Sequence, residues 1–517
     1  MDLFIKIAML VVFFGVMIGV GLVCRKKSTD VNGFVLGGRS VGPWLTAFAY
    51  GTSYFSAVVF VGYAGQFGWK YGVAATWAGI GNAFLGSMLA WMVLGRRTRV
   101  MTQHLDSATM PQFFERRYNS KALKLASSAV IFIFLIPYTA SLYNGLSRLF
   151  GMAFDIPYAT CVIAMAVLTA VYVIVGGYMA TAINDFIQGI IMIFGILAVI
   201  VAVLKTQGGL MEAMESLSQI TDAESGAPAG SFSSFLGPDP VGLLGVVLLT
   251  SLGTWGLPQM VQKFYAIKSE KVITKGMVIS TVFALIVAGG CYFLGGFGRL
   301  FTTSEAVQAE GFDSIVPTML RELSPILIAV VVVLVLSASM STLSSLVLAS
   351  SSTLTLDFIK GSVVKNLGEK KQMLIMRILI AVFIAISVII AIVQYHSNVT
   401  FIAQLMGVSW GALAGAFLAP FLFGLYWKRA TALSVWVSMI FSSVVMVSNI
   451  FLGRYFPTII RSPINAGAFC MLAGLIIVPV VSLLSKAPDK KYVDDVFSCY
   501  DKKVMVSAKD AIGEPME

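Results

Sequence analysis

Charge is what this chain has least of. Only 12% of its 517 residues are Asp, Glu, Lys or Arg, against 58% hydrophobic, and the mean hydropathy is +0.87. A soluble globular protein keeps about a quarter of its residues charged, so that class is excluded. Histidine is scarcer still: His104 and His396 are the only two. The five cysteines, Cys24, Cys161, Cys291, Cys470 and Cys499, include no C-x-x-C pair. Neither a disulfide framework nor a zinc or haem site is expected, and no cofactor. The net charge of +11 does not signal nucleic acid, because the cations stand in short segments between apolar runs and build no basic face.

What is present is apolar sequence in lengths that cross a bilayer, about 20 residues each. Hydropathy places thirteen candidate spans near 3–23, 42–66, 72–95, 122–149, 155–176, 185–205, 239–264, 274–298, 324–358, 373–395, 399–426, 430–452 and 464–485. The expected fold class is therefore an all-α polytopic membrane protein, with the lipid bilayer as its solvent. The first span is too long for a signal-peptide core and lacks a small-residue cleavage site before Arg25, so it is expected to stay. With the N-terminus outside, the cytoplasmic segments collect most of the cations, Lys263 among them. The other side keeps Lys6, Lys70, Arg148, Lys205, Arg299, Arg321, Arg454 and Arg461. This favours a plasma-membrane protein with an outside N-terminus and a cytoplasmic C-terminus. The insertion 206–235 has no Lys or Arg and falls outside; the tail after Ser485 is charged and expected to be poorly ordered. Neither reads as a folded domain. Asn398-Val399-Thr400 fits a glycosylation sequon in an outside loop, a short match of little weight.

One stretch organises the rest. From Ile326 to Thr355 an apolar run fills with hydroxyls: Ser337, Ser339, Ser341, Thr342, Ser344 and Ser345. Their oxygens need partners at membrane depth. The partner is either a neighbouring helix packed on small side chains or a dehydrated cation held by neutral oxygens. Two other spans bear on that choice. Span 2 is interrupted by Gly51, Thr52, Ser53 and Ser56, and span 7 by Gly253, Thr254, Gly256 and Pro258. Such breaks free backbone groups that hydrocarbon forbids unless they line a cavity. Two broken spans five apart fit paired repeats meeting at a midplane site, whereas either alone would be ordinary for a membrane helix. Spans 2, 7 and 9 show no titratable group deep inside, which disfavours proton coupling. The nearest carboxylate is Asp185, which could equally be a solvated residue at the start of span 6. Hydroxyl and carbonyl oxygens suit an alkali cation, and sodium is the first choice.

Several blocks carry a family resemblance: Leu36 to Trp44 (LGGRSVGPW), the GTSYFSA of span 2, Gly176 to Gly189 (GGYMATAINDFIQG), Gly256 to Gln259 (GLPQ) and Ser337 to Ser352. In that order they resemble the sodium:solute symporter family, which includes proline and pantothenate permeases and sodium/sugar carriers. The resemblance implies a LeuT-type core of two inverted five-helix repeats working by alternating access. The first repeat would cover 42–205 and the second 239–426. Around them stand an N-terminal span (1–41), an outer loop (206–238), two C-terminal spans (427–485) and a tail (486–517). It further implies a sodium site from the backbone carbonyls of Thr52, Phe55 and Ala338 and the hydroxyls of Ser341 and Thr342. Asp185 is implied as a station for sodium exit or coupling. The implied substrate pocket draws on Ser53, Tyr54 and Ser56, on Tyr138, and on Thr254, Trp255, Gly256 and Pro258. Proline-type members carry an aspartate in span 2 where this chain has Tyr54, and aromatic residues where it has Thr250 and Thr254. The pantothenate-type branch is closer in motif. Without a fixed carboxylate in span 2, a bound cation would lack a countercharge that a carboxylate on the substrate could supply.

The expectation is thus a symporter for sodium and a small organic solute bearing a carboxylate: a pantothenate-like acid, a monocarboxylate or an amino acid such as proline. No obligate protein partner is evident. The alternatives are a serine-lined channel, a solute sensor or a sodium/sugar symporter. A channel would need a selectivity constriction that is not visible, and a sensor would need an output domain. An esterase has one hook, Gly407-Val408-Ser409-Trp410-Gly411, but that G-x-S-x-G lies inside a span, far from any strand-to-helix turn.

Overall fold

The computed structural model describes residues 2–24, 30–154, 156–364, 367–397 and 402–501. The sequon Asn398-Val399-Thr400 and the cations Arg25, Lys26, Lys27, Lys365, Lys502, Lys503 and Lys509 lie outside the described residues. Within them the regular structure is helical, with three isolated β-bridges.

After α1 (Asp2–Cys24) the chain enters the bundle with α2 (Pro43–Thr52), which stops and resumes as a π-helical turn, Val58–Tyr63, and α3 (Ala64–Tyr71). α4 (Thr76–Gly81) runs through the π-helical segments Asn82–Leu89 and Trp91–Gly95 into α5 (Arg96–His104). A short connector, α6 (Met110–Tyr118), precedes α7 (Lys121–Phe154) and α8 (Tyr158–Thr206). The second half begins with α9 (Pro240–Gly256) and α10 (Pro258–Tyr265), followed by α11 (Lys271–Gly295), α12 (Pro325–Thr353), α13 (Glu369–Ser397) and α14 (Ile402–Tyr426). α15 (Ala432–Leu452), α16 (Pro463–Leu484) and the short α17 (Lys490–Phe497) complete it. Local sequence sets many of these starts. Asp239 accepts from the Gly242 amide at 2.9 Å with Pro240 in the first turn, and Ser462 with Pro463 does the same for α16.

Among the described residues ten helices are long and apolar enough to cross a bilayer, or eleven when α9 and α10, bent by 46°, count as one span. The thirteen expected from hydropathy differ where backbone breaks fall. The expected span 42–66 is split at Ser53–Ser56 into pieces too short to qualify alone. The continuous run Val58–His104 has 47 residues, far beyond the roughly 20 that a bilayer takes. Gly72, at φ 61°, interrupts it, and a β-carbon there would meet the Phe232 carbonyl oxygen at 2.0 Å. Expected spans 155–176 and 185–205 form one run in α8, broken at Gly177 (φ 59°).

The innermost helices are α14 and α12, with 89% and 78% of their most apolar windows buried, against 22% for α1 at the rim. α12 packs on α8, α7, α13 and α1, so its hydroxyls face protein on all sides. The cation-rich connections gather at one end of the bundle. Arg39 donates to the carbonyls of Tyr265 (3.0 Å) and Ser107 (2.7 Å), Arg96 pairs with Glu270 at 2.6 Å, and Lys428 pairs with Asp494 at 2.7 Å. The tail was expected to be loose, yet its first part forms α17 and docks there, because Phe497 is buried and Tyr492 bonds the Arg116 carbonyl. At the opposite end the insertion 206–235 folds down as a cap: Arg299 pairs with Asp222 at 2.9 Å and stacks on Phe232 at 3.9 Å.

Candidate functional site

The site begins with the gap between α2 and its continuation. A helix leaves its last carbonyls without intrahelical donors, and the break at Ser53–Ser56 does this inside the bundle. Two side chains of α12 meet those carbonyls. Ser341 Oγ lies 3.2 Å from Thr52 O and 3.0 Å from Ala338 O. Thr342 Oγ1 lies 3.1 Å from Thr52 O, 3.2 Å from Phe55 O and 3.1 Å from Ala338 O. All five residues are buried. Three carbonyl and two hydroxyl oxygens, none of them charged, therefore converge on one small volume. Each hydroxyl has a single proton to donate and more than one carbonyl facing it, so acceptors outnumber donors. That is the chemistry of a hard-cation site.

A second set of contacts continues from Ser53, whose hydroxyl is 3.0 Å from that of Ser345. Lys263 Nζ donates to Ser345 Oγ at 2.9 Å and stands 3.8 Å from Asp185 Oδ2. Both charged residues are buried, at 2% and 0% exposure. Asp185 is thus neither solvated nor at a helix start: it lies within α8, eight residues past the Gly177 break, facing α10. Neither of its oxygens accepts a hydrogen bond. Lys263 is no exposed loop cation, and it overturns the expectation that span 7 holds no titratable group. The reason is the break at Gly256–Pro258. Leu257 takes extended backbone (ψ 124°), and the 46° bend turns all of α10 into the bundle, so that every one of its eight residues is buried. In a straight span, Lys263 would emerge with the helix end. The signal in the sequence is a lysine five residues after a proline break. Span 9 also ends on a buried acid, Asp357, which accepts from Thr109 Oγ1 at 2.6 Å and Gln112 Nε2 at 2.9 Å.

The residues expected to contact substrate divide into groups. Tyr54 and Tyr138 are fully buried with phenol oxygens that have no hydrogen-bond partner, and Tyr138 meets the Trp410 ring edge-on at 6.0 Å. Tyr63 and Tyr292, missed in the sequence, add two more fully buried phenols. Ser56 instead caps the resumed helix by accepting from the Val58 amide at 3.2 Å, and Ser53 is held by Ser345. The span 7 residues point elsewhere. Thr254 Oγ1 donates to Gly86 O at 2.8 Å and Trp255 Nε1 to Leu85 O at 2.9 Å, supplying donors to the π-helical segment Asn82–Leu89. Gly256 is pressed against α14, where a β-carbon would lie 2.8 Å from Ala414 Cα. Pro258 lines a small space with Thr109 and Ser352, on the Asp357 side. The serine of the G-x-S-x-G match, Ser409, bonds the Phe134 carbonyl of α7 and serves helix packing.

The sodium:solute symporter family model matches residues 34–442. Sodium/proline symporter 2 of Staphylococcus saprophyticus is 29% identical over 448 residues, spanning 85% of this chain and 84% of that protein. The sodium/proline symporter of Staphylococcus aureus is 30% identical over 450 residues, with the same shares. Among solved structures, a Na+-coupled sialic acid symporter in a substrate-bound outward-open state superposes with a TM-score of 0.72 at 16% identity, over 94% of this chain and 99% of that one. Likeness at that identity concerns the fold, which is the LeuT type. The chain is a member of the sodium:solute symporter family, a family of membrane transporters and not of enzymes.

Proposed function

We propose that this chain imports a small carboxylate-bearing solute together with sodium across the plasma membrane, by alternating access between repeats 42–205 and 239–426. The observation that carries the reading is the convergence of Thr52 O, Phe55 O, Ala338 O, Ser341 Oγ and Thr342 Oγ1 at the α2 break. Sodium held there ties α2 of the first repeat to α12 of the second, so its occupancy biases their relative position. Asp185, a carboxylate with no hydrogen-bond donor, serves as the station that sodium passes on release.

The substrate class follows from charge. The buried carboxylate nearest this site already faces a resident cation, Lys263. A sodium ion among neutral oxygens keeps an unbalanced charge in low dielectric, and a substrate carboxylate beside Tyr54 and Tyr138 balances it. The curated relatives are named sodium/proline symporters, and proline fits this class, as do other amino acids, monocarboxylates and pantothenate-like acids.

The test is uptake by proteoliposomes with an imposed sodium gradient. Saturable uptake of an organic acid or amino acid that disappears without sodium is expected. Uptake of a neutral sugar with no competition from any organic acid refutes the substrate class. Ser341→Ala combined with Thr342→Ala should raise the sodium concentration for half-maximal uptake by about ten-fold or more while the protein still reaches the membrane. Unchanged sodium dependence in that double variant removes the site.

A further inference from the structure

Where α6, the start of α15, the end of α16 and α17 meet, a cavity of about 400 Å³ opens at the cation-rich end, far from the α2 break. Its polar lining includes Arg117, Asn119, Thr431, Lys486, Asp489 and Tyr492. Arg117 is 1% exposed, and its guanidinium is only partly satisfied. Nε donates to Gly424 O at 2.7 Å and Nη2 to Trp427 O at 2.9 Å, while Nη1 has no partner. Burial lowers the pKa of this guanidinium, and no carboxylate pairs with it among the described residues. Beside the cavity Arg429 repeats the pattern, donating from Nη2 to Ser485 O at 2.6 Å with Nη1 buried and unpartnered. The one acid in the lining, Asp489, is engaged at Oδ1 by the Tyr492 amide at 2.7 Å. The first-turn amides of α15, at Ala432 and Leu433, add donors that a helix cannot satisfy internally.

We propose that this cavity binds the phosphate of an anionic phospholipid. The Arg117 guanidinium packs near the Tyr118 and Phe497 rings at 5.0 and 4.9 Å but faces no carboxylate, so an anion in the cavity would supply its missing countercharge, and planar Arg nitrogens match phosphate oxygens. The volume exceeds what a lone phosphate fills and leaves room for the glycerol. Around it Leu433, Leu483 and Leu484 are exposed, at 54%, 64% and 84%, giving acyl chains an apolar track along α15 and α16. Basic pockets of this kind between membrane helices hold anionic head groups.

The full chain, reconstituted in nanodiscs of phosphatidylcholine with increasing phosphatidylglycerol, should melt at higher temperature as the anionic fraction rises, and native mass spectrometry should retain bound phosphatidylglycerol. Arg117 also ties down the end of α14, so its removal confuses binding with folding. Lys486→Gln and Arg429→Gln avoid this: each should weaken phosphatidylglycerol retention about five-fold. Equal retention of phosphatidylcholine and phosphatidylglycerol, or retention unchanged in the Lys486→Gln, Arg429→Gln double variant, overturns the proposal. Stabilisation by millimolar inorganic phosphate in pure phosphatidylcholine, equal to that by phosphatidylglycerol, overturns the lipid as source and assigns the cavity to a soluble phosphate anion.

Discussion

Lys263 and Asp185 are the residues on which charge in this bundle turns. A buried pair at 3.8 Å recovers less than its desolvation cost, but removing one member is worse, because the other charge stays uncompensated. Lys263→Met is expected to destabilise the protein by about 3–5 kcal/mol, read as a fall in melting temperature of the purified protein. The Lys263→Met, Asp185→Asn double variant should regain most of that loss, and a double variant melting with the single one disproves the coupling. Asp185→Asn alone should also slow sodium release. Comparing its sodium-driven uptake with counterflow at equal sodium separates this from a folding defect, since slowed release depresses the first and spares the second. Neither residue can be ranked from sequence: Asp185 stands there without a visible partner, and Lys263 reads as a loop cation.

At the scale of elements, two joints hold the broken helices. The first is the α9 to α10 break, where Gly256 lets α9 approach α14. Gly256→Val places a branched side chain where even a β-carbon lies 2.7 Å from Leu418 N, and should cost at least about 1–3 kcal/mol. Thermal unfolding checks this, and an unchanged melting temperature would mean that α9 shifts freely. The second joint is the start of α6, where Thr109 caps the helix and donates to buried Asp357. Thr109→Val removes the cap and a bond to a buried carboxylate, a loss of about 2 kcal/mol. Amide hydrogen exchange should rise in α6 ahead of the rest of the bundle. The breaks themselves were legible, because Gly, Ser and Pro inside apolar runs have few other uses at membrane depth. Which faces they turned inward was not: Thr254 and Trp255 follow the packing of α9 on Asn82–Leu89, a contact between segments about 170 residues apart in the chain.

For the whole molecule, the cation-rich end and the Asp222–Arg299 cap stand apart, and the positive-inside bias leads us to propose that the cation-rich end is cytoplasmic. All five cysteines are buried, so introduced ones report without interference. Ser225→Cys should react with a membrane-impermeant maleimide on intact cells, and Lys490→Cys only after permeabilisation. The reverse pattern would invert the topology and the direction of every step proposed above.

The sequence by itself determined the solvent and the class, and narrowed the hydroxyl-rich span to two roles. Apolar runs spaced by cationic loops leave no alternative to a helical bundle in lipid, and hydroxyls inside an uncharged run at membrane depth need either packing or a cation. Only the tertiary structure decided which oxygens meet, that Thr342 Oγ1 faces both Thr52 O and Phe55 O, and that a lysine stands opposite Asp185. The reason is physical. Hydropathy is local and additive along the chain, whereas a bent helix redirects its whole following segment, and the direction of that bend is set by partners about 160 residues away.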